Sequence, residues 1–143
     1  MRLLVKILRI VPFASLAGLS LWVAGTGGRG RKAFQVDWTI SGSELARAVT
    51  KVPHLRATAV LFLLATLTVG SNRLLVAFGL TMLVGIGWEL AEATVVGHNA
   101  RLIDLAPDLI GTLTALVFVA LARWIVLRLG KREGNSELNA NPT

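Results

Sequence analysis

Residues 74–96, LLVAFGLTMLVGIGWELAEATVV, decide the fold class of this chain. About 20 helical residues cross a bilayer core of ~30 Å, so an apolar run of this length predicts a transmembrane helix. Three further apolar runs lie at about residues 10–25, 55–70 and 105–127. The sequence therefore predicts an all-α polytopic membrane protein, built as a bundle of four transmembrane helices.

Composition supports this prediction and excludes other classes. Of the 143 residues, 54% are hydrophobic and only 16% are charged, and the net charge is +7. Ordinary soluble domains carry about 25% charged residues, and disordered chains need low hydrophobicity. Most basic residues lie at the ends of the apolar runs, where they meet anionic lipid. The predicted partner is therefore the lipid bilayer, and the basic surplus does not indicate nucleic acid.

The first apolar run follows Arg2, Lys6 and Arg9 and has two interpretations. A basic start before an apolar run is typical of a cleaved signal peptide as well as of a retained helix. Trp22 near the end of the run makes a poor cleavage site and favours a retained helix. The next stretch, TGGRGRK at residues 26–32, lacks the Walker pattern and predicts a flexible linker at the level of the lipid headgroups.

A short helix is expected before the second span. Ser41-Gly42-Ser43-Glu44 has the spacing of a capping box, which marks a helix start. Leu45, Val49 and Val52 then form one apolar stripe, which predicts that this helix lies in the membrane interface. The predicted transmembrane domain covers residues 1–129. The polar residues 130–143 predict a disordered tail.

Four of the eight acidic residues fall where lipid is expected. Glu89 and Glu92 share one helix face, and Asp104 and Asp108 share a face of the next helix. The short connector at residues 97–101 predicts an antiparallel hairpin that brings both pairs to one membrane level. A charge at the bilayer centre costs ~2.5–3.5 kcal/mol, so such residues usually face a protein interior. The candidate polar site consists of His54, Glu89, Glu92, Arg101, Asp104 and Asp108.

Several chemical interpretations of this site stay open. The acids are either paired with Lys51, Arg56, His98 or Arg101 as structural ion pairs, or form a functional site. A functional site would bind a divalent cation with His54 or His98, perform acid/base chemistry through crowded carboxylates, or pass protons or cations. The absence of cysteine excludes thiolate chemistry, and two histidines exclude a three-histidine zinc site. An enzyme acting on a lipid-linked substrate, a transporter and a structural subunit of a membrane complex all remain alternatives.

Small residues predict close helix packing beside these acids. Gly111 lies four residues before Ala115 and three after Asp108, so the carboxylate and the packing position face the same way. Backbones of membrane helices approach closely at such positions. A homo-oligomer is compatible with this pattern and stays open.

The polar residues resemble those of a known family. Lys51-Val52-Pro53-His54, then Glu89, Arg101 and the stretch from Asp104 to Gly111, resemble the central block of VanZ-like membrane proteins, here at about residues 50–127. Thr50, Glu92 and Asp108 depart from that pattern, where the family tends to carry Asp, Gln and Asn. The acidic WELAE form at residues 88–92 is closer to a related group of uncharacterised bacterial inner-membrane proteins.

The resemblance implies where the protein is located in the cell, but it implies no specific molecular activity. VanZ-like proteins are small multi-pass proteins of the bacterial cell envelope, located in the inner or plasma membrane. The founding member is linked to resistance to the glycopeptide teicoplanin, and the molecular activity of the family is not established. By resemblance, the expected partner beside the bilayer is a lipid-linked or other envelope substrate.

Overall fold

In a computed structural model, the chain is mostly helical. The structure describes the backbone of residues 2–28 and 30–140 and the side chains of residues 4–28 and 30–130. These residues form the helices α1 (Arg2–Thr26), α2 (Gly42–Ala48), α3 (Val52–Val69), α4 (Leu74–Glu92) and α5 (Leu105–Ala140). Two short strands, β1 (Val36–Asp37) and β2 (Ala100–Arg101), and a 3-10 turn at Leu102–Asp104 complete the fold.

The predicted number of membrane-length apolar helices is confirmed within the described residues. Four segments are long and apolar enough to cross a membrane: Leu4–Thr26, Val52–Val69, Leu74–Glu92 and Leu102–Gly130. Many of their large apolar side chains face outward, as expected when the surrounding solvent is lipid. By length and composition, these four helices suit a multi-pass membrane protein.

Local signals explain where the helices begin and end. Pro53 lies in the first turn of α3, where its missing N–H costs no hydrogen bond. Gly70 ends α3 with a φ of 90°, which favours glycine, and the turn to α4 follows at once. This polar turn at residues 71–73 forces α3 and α4 to run antiparallel.

The predicted short helix is present as α2. Ser41 Oγ accepts the backbone N–H of Glu44 at 3.3 Å, and the Ser41 hydroxyl lies 3.2 Å from Glu44 Oε2, to which it donates. The helix start predicted from the capping box is therefore confirmed. The position of α2 in a membrane interface stays a prediction.

The core is built from small residues between the long helices. One buried cluster joins α1, α3 and α4 through Ala17, Ala24, Leu61, Val84 and Trp88. A second cluster joins α3, α4 and α5 through Phe62, Ala65, Ala77 and Ala115. Alanine at these positions lets the helix backbones approach, which is the main source of packing energy between helices in lipid.

The loop after α1 is docked, in contrast to the flexible linker predicted at residues 26–32. Helix α4 ends at Glu92, four residues before the predicted end of its span. The freed backbone groups beyond it pair with the loop: the Lys32 N–H donates to Thr94 at 2.9 Å, and the Val96 N–H donates to Gly30 at 3.0 Å. Strands β1 and β2 extend this pairing in parallel, with Val36 opposite Ala100. Backbone hydrogen bonds thus close one end of the bundle.

Helix α5 continues beyond the last apolar span. Its backbone is helical to Ala140, and the disordered tail expected over residues 130–143 stays a prediction. The stretch KREGNSELNA at residues 131–140 contains no proline and several good helix formers, so the helix of the last span can continue into it. Residues 141–143 lie outside the described residues.

The two ends of the bundle differ in charge. The acidic end comprises residues 27–51 and 93–104 with the adjoining helix termini, and it holds all the carboxylates among the described side chains: Asp37, Glu44, Glu89, Glu92, Asp104 and Asp108. The basic end comprises the start of α1, the turn at residues 70–73 and the far part of α5. Its charged side chains, within residues 4–130, are Lys6, Arg9, Arg73, Arg123 and Arg128.

Candidate functional site at the acidic end

Helices α3 and α5 meet at the acidic end through two successive polar contacts. Lys51 Nζ lies 2.7 Å from Asp104 Oδ2, and His54 Nδ1 lies 3.2 Å from Asp108 Oδ1. Lys51 and His54 are about one helical turn apart, and so are their two partners, because α3 and α5 run in the same direction. The spacing of charged residues along both helices therefore sets a common register.

One turn beyond Asp108, the contact between α3 and α5 requires a glycine, Gly111. A Cβ atom at Gly111 would lie 2.4 Å from the backbone oxygen of Leu55 and 2.4 Å from Thr58 Oγ1. No side chain fits at that distance, so glycine lets α5 lie directly against α3. Ala115, one turn further along, belongs to a buried cluster with Phe62. The two small residues singled out in the sequence thus lie at the α3–α5 contact and in the core behind it.

Asp108 is the most enclosed polar group of the site. Its relative exposure is 0%, and its Oδ2 atom has no hydrogen-bond partner among the described residues. A Cβ atom at Gly85 would lie 2.9 Å from this Oδ2, so the carboxylate lies against the backbone of α4. One oxygen of Asp108 therefore contacts His54, and the other is enclosed between helices.

The imidazole of His54 is held by a second group besides Asp108. The Trp88 ring meets the His54 ring edge to face, with centroids 5.9 Å apart and an interplanar angle of 89°. Trp88 is itself fixed, because its Nε1–H donates to Ser20 Oγ at 2.9 Å. Contacts from α1, α4 and α5 thus restrict the orientation of one histidine on α3.

The two acids of α4 have different environments. Glu89 is 6% exposed, and its Oε2 accepts the backbone N–H of Arg101 at 2.9 Å. Glu92, one turn later, is more exposed and lies 3.4 Å from His98 Nδ1. Glu89 therefore holds the connector between α4 and α5, whereas Glu92 remains accessible at the edge of the bundle.

Arg101 contacts acids that the sequence analysis did not assign to the site. Its guanidinium lies 2.5 Å from Glu44 Oε1 and 3.5 Å from Asp37 Oδ2. The backbone N–H of Thr39 also donates to Asp37, and this bond together with the nearby Arg101 holds the pKa of Asp37 below its ordinary value. The only sequence signal for Glu44 was its place in the capping box, and none marked Asp37.

A groove opens beside His54 on the outer surface of α1, α3 and α4. Its volume is about 380 Å³. His54, Glu92, Trp88 and Ser20 supply its polar atoms. The remaining lining is apolar and consists of Leu16, Leu19, Val23, Ala24, Pro53 and Ala57. The histidine of the His54–Asp108 pair is therefore reachable from the side of the bundle.

The structure distributes the six predicted site residues over separate contacts. His54 meets Asp108, Lys51 meets Asp104, His98 meets Glu92, and Arg101 meets Glu89 only through its backbone. Within the part of the chain that the structure describes, no group of three or more His, Asp or Glu residues is placed to hold a metal ion. The His54–Asp108 and His98–Glu92 pairs would each offer a cation only two ligand residues.

Comparison with known proteins adds no family. No protein-family model, no curated protein and no solved structure matches the chain significantly. The VanZ-like resemblance accordingly stays a prediction based on residues His54, Glu89, Arg101, Asp104 and Gly111.

Proposed function

We propose that this chain is a multi-pass protein of the bacterial cell envelope that performs acid/base chemistry on a lipid-linked substrate. In this proposal His54 is the base, Asp108 positions it, and Glu92 supplies a second proton-carrying group. The observation that carries the proposal is the pairing of His54 with the fully buried Asp108 at the edge of an apolar groove.

The His54–Asp108 contact suits a general base. A carboxylate bound to Nδ1 favours the tautomer with a proton on that atom, which leaves Nε2 to accept a proton from a reacting group. The same carboxylate stabilises the imidazolium that forms when Nε2 takes the proton. His54 lines the groove, so a molecule bound there would meet the ring directly.

Glu92 is the complementary group on the opposite helix. It lines the same groove from α4, while His54 lines it from α3. Two proton-carrying groups at one groove allow His54 to remove a proton and the His98–Glu92 pair to deliver one, as hydrolysis or group transfer requires. In this scheme His98, at 3.4 Å from Glu92, orients the carboxylate.

The walls of the groove define the substrate class. Apart from its few polar atoms, the groove is lined by aliphatic side chains of α1, α3 and α4. It is open at the side of a bundle whose outward residues are large and apolar. A molecule that enters from the bilayer with a hydrocarbon chain fits these walls, with its reactive polar group near His54.

The envelope assignment rests on the VanZ-like resemblance. The residues that carry it, His54, Glu89, Arg101, Asp104 and Gly111, all belong to the contacts of the acidic end. A role in glycopeptide resistance is not part of the proposal, because Thr50, Glu92 and Asp108 depart from the family pattern.

The test replaces His54 by glutamine in cells whose only copy of the gene carries the change. Glutamine retains a donor for Asp108 but cannot take up a proton at neutral pH. We expect His54→Gln to change the lipid-linked species of a total lipid extract, measured by mass spectrometry, in the same way as deletion of the gene. Arg56→Gln is the control, because Arg56 is an exposed cation at the same end.

Membrane levels of each variant are measured by immunoblot so that loss of protein is recognised. The proposal is wrong if deletion leaves every lipid-linked species unchanged. It is also wrong if His54→Gln, present at normal levels, gives the wild-type lipid profile.

A further inference from the structure

The cations of the basic end have no acidic partners among the described side chains. No salt bridge in the part of the chain that the structure describes involves Lys6, Arg9 or Arg73. Arg123 donates to the backbone oxygen of Ser71 at 2.8 Å, and Arg128 lies over the ring of Trp124 at 5.1 Å. Among the described side chains, this end therefore presents positive charge with no carboxylate beside it.

A second groove lies at this end, between α1 and α3. Its volume is about 480 Å³. Leu8, Pro12, Leu64 and Leu67 form apolar walls, and Arg9 and Ser71 stand at the polar end, where α3 has ended. The groove thus combines an apolar slot with an exposed guanidinium at its mouth.

Thr66 gives the groove an unsatisfied polar atom. Threonines 58, 68, 81, 112 and 114 each donate their hydroxyl to the carbonyl four residues earlier. Thr66 lines the groove and is 7% exposed, but its Oγ1 has no partner among the described residues. A buried hydroxyl without a partner costs about 1–3 kcal/mol. Because Oγ1 itself is shielded, the Thr66 side chain must turn toward the groove before a ligand can accept its hydrogen bond and gain this energy.

The opposite wall, α1, contains a proline at this level. Pro12 lies inside α1 and has no N–H to donate to the carbonyl of Leu8 one turn earlier. Thr68 already donates to the adjacent Arg9 carbonyl at 2.7 Å, which fixes α1 and α3 at the same level. Arg9 therefore lies beside Thr68, and Thr66 lies two residues, about 3 Å, deeper along the axis of α3.

We propose that this groove binds one anionic phospholipid. The phosphate pairs with Arg9, an ester carbonyl accepts the Thr66 hydroxyl a few ångströms deeper, and one acyl chain lies between Leu8, Pro12, Leu64 and Leu67. The order of groups from the mouth inward, cation, hydroxyl and aliphatic wall, matches the order phosphate, ester and acyl chain in a phospholipid. The site is at the opposite end from His54 and does not depend on the proposed chemistry.

The experiment measures retention of phosphatidylglycerol by the purified full-length protein, using native mass spectrometry. Phosphatidylcholine with the same acyl chains is the neutral comparison. We expect wild type to retain one phosphatidylglycerol in preference to phosphatidylcholine. Arg9→Gln weakens this retention about tenfold, equivalent to about 1.4 kcal/mol, and Arg128→Gln, which removes a cation of the same end outside the groove, leaves it unchanged.

Two further variants test the groove itself. Thr66→Val keeps the side-chain shape and removes the hydroxyl, so we expect a several-fold weaker retention. Leu67 is 64% exposed, so Leu67→Trp blocks the slot without disturbing the core and abolishes retention even if another variant folds poorly. Glycerophosphate has no acyl chains. If binding requires the acyl chain as well as the phosphate, millimolar glycerophosphate does not displace phosphatidylglycerol from the protein.

Three outcomes would overturn the proposal. One is equal retention of the two phospholipids by wild type. Another is an equal loss in Arg9→Gln and Arg128→Gln, which would show diffuse attraction between anionic lipid and a basic surface. The third is wild-type retention by Leu67→Trp, which would place the lipid elsewhere.

Discussion

At the acidic end of the bundle, Lys51, His54 and Arg101 each contact a carboxylate, whereas at the basic end Lys6, Arg9 and Arg73 form no ion pair among the described side chains. Both ends carry several cations, so the number of basic residues does not distinguish them. The two ends differ in where the acidic residues lie. The paired charges of the acidic end act inward and hold helices and loops together, whereas Lys6, Arg9 and Arg73 at the basic end are exposed.

This difference has an energetic basis. A buried carboxylate is costly unless a donor compensates it, which explains why Asp104, Asp108 and Glu89 each have a partner. An exposed cation near lipid headgroups needs no protein partner, because anionic lipid is attracted at about 1 kcal/mol per Lys or Arg. Removing one of the paired charges should therefore destabilise the acidic end, whereas removing Arg73 at the basic end should not.

The largest expected effect comes from His54→Phe. It leaves Asp108 buried without its partner, and breaking a buried pair in this way costs about 3–5 kcal/mol. The double variant His54→Phe with Asp108→Leu removes both polar groups at nearly constant volume and should regain most of the loss. Free energies of unfolding in mixed detergent micelles, combined in a double-mutant cycle, give the coupling between the two residues.

An additive double variant, as unstable as the sum of the single changes, would contradict the inward role assigned to the His54–Asp108 pair.

A smaller effect is expected from Gly111→Ala. The new Cβ atom would meet the Leu55 backbone oxygen at 2.4 Å, so α5 must move away from α3, at about 1–3 kcal/mol. Gly79→Ala is the matched control, because nothing lies within 4 Å of a Cβ atom at Gly79. Alanine also has the better helix propensity, by about 1 kcal/mol. Melting temperatures should therefore fall for Gly111→Ala and hold or rise for Gly79→Ala.

If both glycine variants melt alike, close contact of α3 and α5 is not what stabilises the acidic end.

The smallest effect compares one arginine from each end. Arg101→Gln removes the contacts with Glu44 and Asp37 and should cost about 1–2 kcal/mol, since the guanidinium is partly exposed and hydrogen bonds to charged groups contribute about 1.5–3 kcal/mol. Arg73→Gln should stay within about 0.5 kcal/mol of wild type. Limited proteolysis of the loop at residues 27–40 provides a local measurement, with faster cleavage expected only in Arg101→Gln.

If the two arginine variants are equally stable and their loops are cleaved equally fast, the charges of the two ends do not differ in their contribution to stability.

Much of the architecture was predictable because the hydropathy of a segment indicates a membrane-length helix without any knowledge of the other helices. The apolar runs located α1, α3, α4 and α5, and the capping box located α2. The enclosure of Glu89, Asp104 and Asp108 was also predictable, since carboxylates within apolar spans rarely face lipid. These inferences need only residues that are close in the sequence.

The partners of the charged residues were not predictable in the same way. Lys51 and Asp104 are far apart in the sequence, and their contact depends on the parallel packing of α3 and α5. Arg101 pairs with Asp37 and Glu44 because the loop after α1 docks on the α4–α5 connector. That docking uses backbone hydrogen bonds, which leave no signature in side-chain identity. The exact site therefore required the three-dimensional structure.

The pairing of β1 with β2 has a consequence for how the protein is made. Val36 lies opposite Ala100, so the loop after α1 has no partner until the residues of three helices have been synthesised. Contacts between distant segments form late because closing a long loop costs entropy. During biosynthesis the strand Val36–Asp37 must therefore stay unpaired until β2 has been made.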